Sequence, residues 1–259
     1  MISFIFIILF LILAVLAGYY SRLLTISGAI AAFVIGSLIT LGLGVKGLII
    51  MGLFFCSSSL WSKMKSSNKR KAEELLVKGS QRDWQQVMAN GGLAAMASAL
   101  YYFTGAPIWL LGACICIAAA NSDTWASEVG SMSKGKPISI KTFRRVERGT
   151  SGAVSILGTF AAVMGSFIIA LASYLIFELR ISEMYFILLL GFMGNLIDTL
   201  LGAFLQVGYQ CPNCGLKTEK TVHCEEHTYL ITGYPFFNND TVNFLSGFFT
   251  LIMGILILG

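Results

Sequence analysis

Charge is scarce in this sequence. Only 12% of its 259 residues are Asp, Glu, Lys or Arg, about half the share found in soluble domains. Hydrophobic residues make up 56%, and the mean hydropathy is +0.78. A soluble chain of this length cannot bury so much apolar surface, so a polytopic membrane protein is expected and nucleic acid is not an expected partner. Histidine is scarcer still: the two, His223 and His227, share one loop, which sets aside a Ser-His-Asp hydrolase. The first apolar stretch, Ile2 to Gly18, has no basic segment before it, and a membrane helix is expected there rather than a cleaved signal peptide. A disulfide framework is also missing. Cys56, Cys114 and Cys116 lie in apolar stretches, where cysteine acts as a small hydrophobe, and the other three cluster in one loop. No half-and-half repeat of the kind found in many secondary transporters is visible.

What the chain does have is long apolar runs. A span of the bilayer needs roughly 20 such residues, and the sequence offers about eight, near 2–20, 28–44, 46–61, 85–104, 107–127, 151–177, 184–206 and 241–258. The expected fold is therefore all-α, one integral-membrane domain over 1–259. The second and third spans are short, and glycines at 28, 36, 42, 44, 47 and 52 are read as points of close helix packing. Long loops are expected near 62–84, 128–150 and 207–240. Sixteen of the eighteen basic residues fall in these loops or at Arg22; Lys46 and Arg180 are the exceptions. The positive-inside rule then places the long loops in the cytoplasm and both termini outside, in the cell membrane if the source is prokaryotic.

Polar residues interrupt three of the spans. The fifth ends in Asn121-Ser-Asp-Thr-Trp-Ala-Ser-Glu-Val-Gly130, where ionisable groups are costly and usually mark a site. Asp123 and Ser127 share a helical face, and Glu128 lies roughly 140° further round. Asn121, Ser122 and Thr124 complete a cluster richer than a helix cap requires. The seventh span carries Asn195, Asp198, Thr199 and Gln206 on one stripe, read as a site or as polar glue between helices. The eighth opens with Asn238-Asn239-Asp240-Thr-Val-Asn243; Asn239 or Asp240 could cap the helix, face a site, or do both. Three carboxylates, Asp123, Asp198 and Asp240, reaching one membrane face suit Mg²⁺ shared with a phosphate. Lys141, Arg144, Arg145 and Arg148 supply a basic loop beside them. Gly149-Thr150-Ser151-Gly152 is read as the N-terminus of the sixth span, aimed at an anion.

In the last loop, Cys211-x2-Cys214, nine residues, then Cys224-x2-His227 has zinc-ligand spacing. His223 is the alternative fourth ligand. A closed structural Zn²⁺ site within 211–227, like a small zinc knuckle, is expected.

Four of these segments resemble one integral-membrane family, that of transmembrane protein 19 and the plastid phytyl-phosphate kinase. They are Asn121–Gly130, Arg148-Gly-Thr-Ser-Gly-Ala-Val-Ser155, Asp198-Thr-Leu-Leu-Gly-Ala203 and Asn238-Asn-Asp-Thr-Val-Asn-Phe-Leu-Ser246, and they occur in the family's order. Ser151 stands where the family more often has Asn, and Glu147 where Pro is common. The Asp-Thr-x-Ala-Ser-x-x-Gly pattern is also similar, over a shorter stretch, to dolichol kinase and other CTP-using membrane transferases. The resemblance implies transfer of a phosphoryl group from a nucleoside triphosphate, such as CTP, to an isoprenyl or polyprenyl monophosphate drawn from the membrane lipids. Asp123, Asp198 and Asp240 would hold Mg²⁺ on the nucleotide, with Glu128 nearby; Arg144, Arg145, Arg148 and the Gly149–Gly152 amides would neutralise the phosphoryl charge. Two other readings stay open: a transporter or ion pathway lined by the same carboxylates, and a cytidylyltransferase. Oligomeric state, lipid and nucleotide are not specified by the sequence.

Overall fold

The computed structural model describes residues 2–64, 66, 69, 77–79 and 81–259. Lys65, Arg70 and Lys71 of the basic loop lie outside the described residues. The chain is mostly helical: α1 (Ile2–Tyr20), α2 (Ile26–Lys63), α3 (Trp84–Thr104), α4 (Pro107–Ser131), α5 (Ile156–Phe177), α6 (Ile181–Phe204) and α7 (Asn239–Leu258). The helices α2, α4, α5, α6 and α7 are each long and apolar enough to cross a membrane, and Ile5–Tyr20 is a shorter apolar helix.

A straight helix as long as α2 would measure roughly 57 Å at 1.5 Å per residue, nearly twice the hydrocarbon core. Gly44, with φ 62 and ψ −154, breaks it. The two halves then run side by side. Ile35 of the first and Met51 of the second both face Gly91 of α3. At the open end, Gly28 lies against the Arg82 carbonyl, while the Arg82 side chain stacks over Phe54 and Phe55. The expected hairpin between 28–44 and 46–61 is thus present. Its glycines differ in use. A Cβ at Gly42 would fall 1.8 Å from the Ser98 carbonyl oxygen, whereas Gly52 has open space beside it.

The helix ends follow local chemistry. Asp83 and Gln86 form a reciprocal capping box at the start of α3. Gly105 closes that helix in the left-handed conformation, and Pro107 opens α4. The sixth apolar run begins its helix later than expected, at Ile156, because Ala153–Val154 (β2) first pairs with Ile138–Ser139 (β1). Ser155, not the Gly149–Gly152 turn, is the N-cap, accepting from the Gly158 amide at 3.1 Å. In α7 the cap is Asn238, accepting from the Thr241 amide at 2.9 Å. Asn239 and Asp240, expected as caps, are thereby left free for other contacts.

The helix α4 is the centre. Leu111 to Ser122 are buried without a break, and α2, α3, α5, α6 and α7 all pack on it. A helix apolar on every side belongs in such a place. Small residues let the neighbours approach: Cβ atoms at Gly191 and Gly194 would strike Ala118 and Ala119. Asn121 ties three helices together. Ser57 and Ser58 donate to its Oδ1 at 3.3 and 3.2 Å, and its Nδ2 donates to the Gly165 carbonyl at 2.7 Å. Ser122 donates to the Ala162 carbonyl at 2.9 Å. The outer surfaces carry Phe6, Phe10, Ile156, Phe160 and Leu256, all exposed and apolar.

The loops between helices add short strands. β3 (Gly208–Gln210), β4 (Lys217–Thr218) and β7 (Tyr229–Thr232) form a three-stranded antiparallel sheet, order β4-β3-β7. β5 (Val222–His223) and β6 (Glu226–His227) form a hairpin within it in sequence.

Replacing Asn121 by Leu removes these cross-helix bonds and strands the Gly165 carbonyl, at a cost of about 1–3 kcal/mol. The midpoint of a thermal melt of the detergent-solubilised protein is expected to fall for Asn121→Leu and to stay level or rise slightly for Gly52→Ala.

Candidate functional site

Beyond Ser122 the central helix turns polar, and there a cavity of about 520 Å³ opens at the loop-bearing end of the bundle. Its walls come from the ends of α4 and α6, the starts of α3 and α7, the Gly149–Gly152 turn, and the β3–β4 segment. The volume is that of a small-ligand site.

The acidic wall is built from three helices. Asp123 of α4 and Asp198 of α6 hold their carboxyl groups in hydrogen-bonding contact. From α7, Asn243, with its amide nitrogen turned inward, donates to Asp198 Oδ2 at 2.9 Å and to the Asn239 carbonyl at 3.2 Å. The Ser246 hydroxyl also lies against Asp198. The neighbouring threonines serve their own helices: Thr124 donates to the Ala120 carbonyl and Thr199 to the Asn195 carbonyl, both at 2.8 Å. Two carboxylates in contact repel unless a proton or a cation lies between them, and an all-oxygen donor set suits a hard cation.

Asp240 departs from the expected triad. Lys78 holds it in an ion pair, and the same lysine reaches Asp83 Oδ2 at 2.7 Å. The other oxygen of Asp240, Oδ1, is buried with no hydrogen bond. Among the described residues, three or more metal-ligating side chains come within reach of one ion only in the cysteine loop. Glu128 is likewise engaged. Ser62 donates to it and Lys69 pairs with it at 2.6 Å. Lys69 also donates to the Trp61 and Ser62 carbonyls at the end of α2, at 2.8 and 2.7 Å.

The opposite wall is the Gly149–Gly152 turn. Gly149 and Gly152 have φ of 83 and 70, and a Cβ at Gly152 would collide with Ala203 of α6. Thr150 donates to the Glu147 carbonyl at 2.7 Å. Ser151 donates to Gln206 Oε1 at 2.8 Å, and Gln206 donates in turn to Glu219 Oε1 at 2.7 Å. Arg148 lines the cavity but spends its guanidinium on the Ser133 and Lys134 carbonyls, at 3.1 and 2.8 Å.

The remaining expected residues divide cleanly. Ser127, Asn195 and Asn239 line the cavity. Asn121 and Ser122 do not; they are the buried helix ties described above, because each points to a neighbouring backbone rather than to the open end. Lys141, Arg144 and Arg145 also lie outside it: Lys141 sits over the Phe204 ring at 5.8 Å, and Arg144 and Arg145 are exposed beside the β1 ladder. Cavity cations come instead from the other basic loop, as Lys69, Lys78 and Arg82. That loop has no helical period, and its lysines and arginines read from sequence as a positive-inside signal alone. Gln86, Asn90 and Glu219 also line the cavity, and no motif marks them in the sequence.

In the cysteine loop, Cys211, Cys214, His223 and Cys224 bring one ligand atom each within 4.8 Å of one another. His223 Nδ1 is 3.5 Å from Cys214 Sγ and 3.2 Å from Cys224 Sγ. His223 and not His227 is the fourth member. Cys224 and Glu225 form the hairpin turn with φ of 53 and 63, which brings His223 and Cys224 to one side and leaves His227 opposite Val222, exposed. Backbone N–H groups, that of Cys214 foremost, draw the Cys211 thiol down to about 6. Contact with Cys214 pushes the Cys224 thiol up to about 11. A divalent cation such as Zn²⁺ could be held by these four atoms and would relieve that crowding of sulfur.

Burial pushes the Glu219 carboxyl up to about 7, the Asp240 charge adding to the effect and the Gln206 bond opposing it. Its contribution to stability is therefore full below the unfolded carboxyl value of 4.5 and lost as pH rises through about 7. Melting midpoints of the wild type minus those of Glu219→Gln should fall between these pH values; a difference independent of pH would show that Glu219 is not buried as described.

The chain has relatives among known membrane proteins. An uncharacterized membrane protein of Methanocaldococcus jannaschii is 37% identical over 189 residues, 72% of this chain and 76% of the relative. Protein PGR of Arabidopsis thaliana is 30% identical over 260 residues, 88% of this chain and 87% of its own. Protein VTE6, chloroplastic, also of Arabidopsis thaliana, is 26% identical over 188 residues, 71% of this chain and 56% of its own. No solved structure matches. The family described as Integral membrane protein DUF92 matches residues 9–251, and the chain belongs to that family.

Proposed function

We propose that this protein is a membrane kinase that transfers the terminal phosphoryl group of a nucleoside triphosphate, CTP being the first candidate, to an isoprenyl or polyprenyl monophosphate. The observation that carries the reading is the Asp123–Asp198 contact in a cavity that a glycine turn, Arg82, Arg148 and the ion pairs Lys69–Glu128 and Lys78–Asp240 also line. In the transfer, an oxygen of the lipid phosphate bonds to the terminal phosphorus. The bond from that phosphorus to its bridging oxygen breaks, leaving lipid diphosphate and nucleoside diphosphate. The attacking oxygen is already anionic, so no dedicated base is required; positioning and electrostatics carry the catalysis.

The residues fit that task. Asp123 and Asp198 would hold Mg²⁺, whose charge would offset that of the phosphates. Asn243 and Ser246 fix the orientation of Asp198. Gln206 ties the Ser151 turn to Glu219, keeping the turn against the cavity. Charge distribution supports a cytoplasmic position for the cavity and an outside position for both termini, and the Gly44 break supports eight spans. A Zn²⁺ at Cys211, Cys214, His223 and Cys224 would supply a structural clamp for the loop beside the cavity, with no open ligand position.

A transport reading needs a path beyond the carboxylates. Among the described residues, the space next to Asp123 and Asn243 on that side is a void of about 10 Å³ beside Cys116, Ala119 and Ala120, which a transported ion would have to widen.

Purified protein given radiolabelled CTP or ATP, Mg²⁺ and a panel of prenyl monophosphates is expected to form prenyl diphosphates. Asp123→Asn and Asp198→Asn should each lower the rate by about 100-fold or more. Release of pyrophosphate instead of nucleoside diphosphate would identify a cytidylyltransferase, and no transfer across the panel would sink the kinase reading. Metal analysis is expected to find about one zinc per chain. Cys214→Ser and His223→Ala should lose it, whereas His227→Ala should keep it; zinc lost only on the last change would reverse the ligand assignment.

A further inference from the structure

Among the described residues, Arg82 is the cavity cation whose guanidinium has a buried N–H without an acceptor, although the Glu128 charge lies near it. It lies in the connection to α3, and its backbone is stitched to the α1–α2 junction: its amide donates to the Leu23 carbonyl at 2.9 Å and its carbonyl accepts from the Thr25 amide at 3.1 Å. The position is therefore fixed. The side chain is partly buried and lines the cavity, and its Nη1 atom is buried with no hydrogen-bond partner. The cavity's other cations are spoken for: Lys69 by Glu128, Lys78 by Asp83 and Asp240, and Arg148 by backbone carbonyls. The Phe54 and Phe55 rings, 5.8 and 5.3 Å from the Arg82 guanidinium carbon, satisfy its face. They offer nothing to the N–H groups at its edge. A buried N–H of a charged group without an acceptor costs more than a neutral one, and such a group calls for an explanation.

The two ends of this arrangement differ in chemistry. One is a planar set of N–H donors, suited to two oxygens of one phosphate. The other is the second half of α2, where Phe54 is buried behind the guanidinium and Ile49 and Leu60 are exposed and apolar. The Asp123–Asp198 contact and the glycine turn belong to α4, α6 and the loop before α5, a different part of the wall.

We propose that Arg82 binds the phosphate of the acceptor, a phosphomonoester carrying an apolar chain. This rests on the reading that the cavity takes a lipid phosphate, and it adds the residue that holds it.

Binding, rather than turnover, tests it. The full chain in detergent is titrated with farnesyl monophosphate, farnesol, inorganic phosphate and CTP, following thermal stabilisation and equilibrium binding. Wild type should bind farnesyl monophosphate and not farnesol. Arg82→Gln should weaken farnesyl monophosphate about 10–100-fold and leave CTP unchanged, and Arg82→Lys should recover part of the loss. Equal affinity of wild type and Arg82→Gln for farnesyl monophosphate overturns the proposal. So does a loss confined to CTP, which would move Arg82 to the nucleotide, or equal binding of inorganic phosphate, which would remove the apolar chain. Should Arg82→Gln not fold, phenylglyoxal modification of wild type read by mass spectrometry serves instead. Farnesyl monophosphate, and not farnesol, must protect Arg82. Because no transfer is measured, a protein that binds but does not phosphorylate counts against the kinase alone.

Discussion

The whole arrangement depends on enclosing α4. A helix buried on every side for three turns must have neighbours that come close, and it must satisfy any polar group it carries within the bundle. The glycines of α6 meet the first demand at Ala118 and Ala119. Asn121 and Ser122 meet the second by bonding to backbone and hydroxyl groups on α2 and α5. At the very next residue one side of the same helix is left open, and Asp123 enters the cavity. Site and scaffold are consecutive residues of a single element.

Charge in the cavity is organised by pairing. Glu128 is paired with Lys69, and Lys78 is shared between Asp83 and Asp240, a group that keeps one negative charge. What remains is a carboxyl pair at one place and an arginine at another. Away from bulk water both are costly, and on the proposed reading each would be matched by a different part of one reaction: a cation on a triphosphate, and a dianionic acceptor. The ion pairs also join segments far apart in sequence, since Lys78 reaches from the basic loop to the start of α7. Cysteine chemistry stands apart from this set, serving the loop that carries Glu219 toward Gln206.

Much of this was legible in the residues. Apolar runs marked the helices to within a few positions, since burial in lipid leaves no other backbone solution. Asp123, Asp198 and Asp240 stood out because carboxylates in such runs are rare and expensive. The stripe at Asn195, Asp198, Thr199 and Gln206 followed from helical period alone. Less legible were the roles within a polar cluster. Asn121 and Asp123 are two residues apart and equally polar in sequence, yet one ties helices and the other lines the cavity. Asn238 rather than its neighbours took the cap, which turned Asp240 toward Lys78.

By itself, then, the sequence determined the class of protein, the helix positions, the polar end of the bundle and the motifs of the family, because each of these depends on local composition and period. Tertiary structure decided which cations face the cavity. Arg144 and Arg145 carry the obvious arginine pair but lie along an exposed ladder. Arg82, one basic residue among seven in its loop, is drawn inward by two backbone bonds to Leu23 and Thr25. The same holds for the zinc-type cluster, where spacing pointed to His227 and the left-handed turn at Cys224 and Glu225 brought in His223. Contacts between distant segments, and the handedness of a two-residue turn, are geometric facts that residue spacing does not carry.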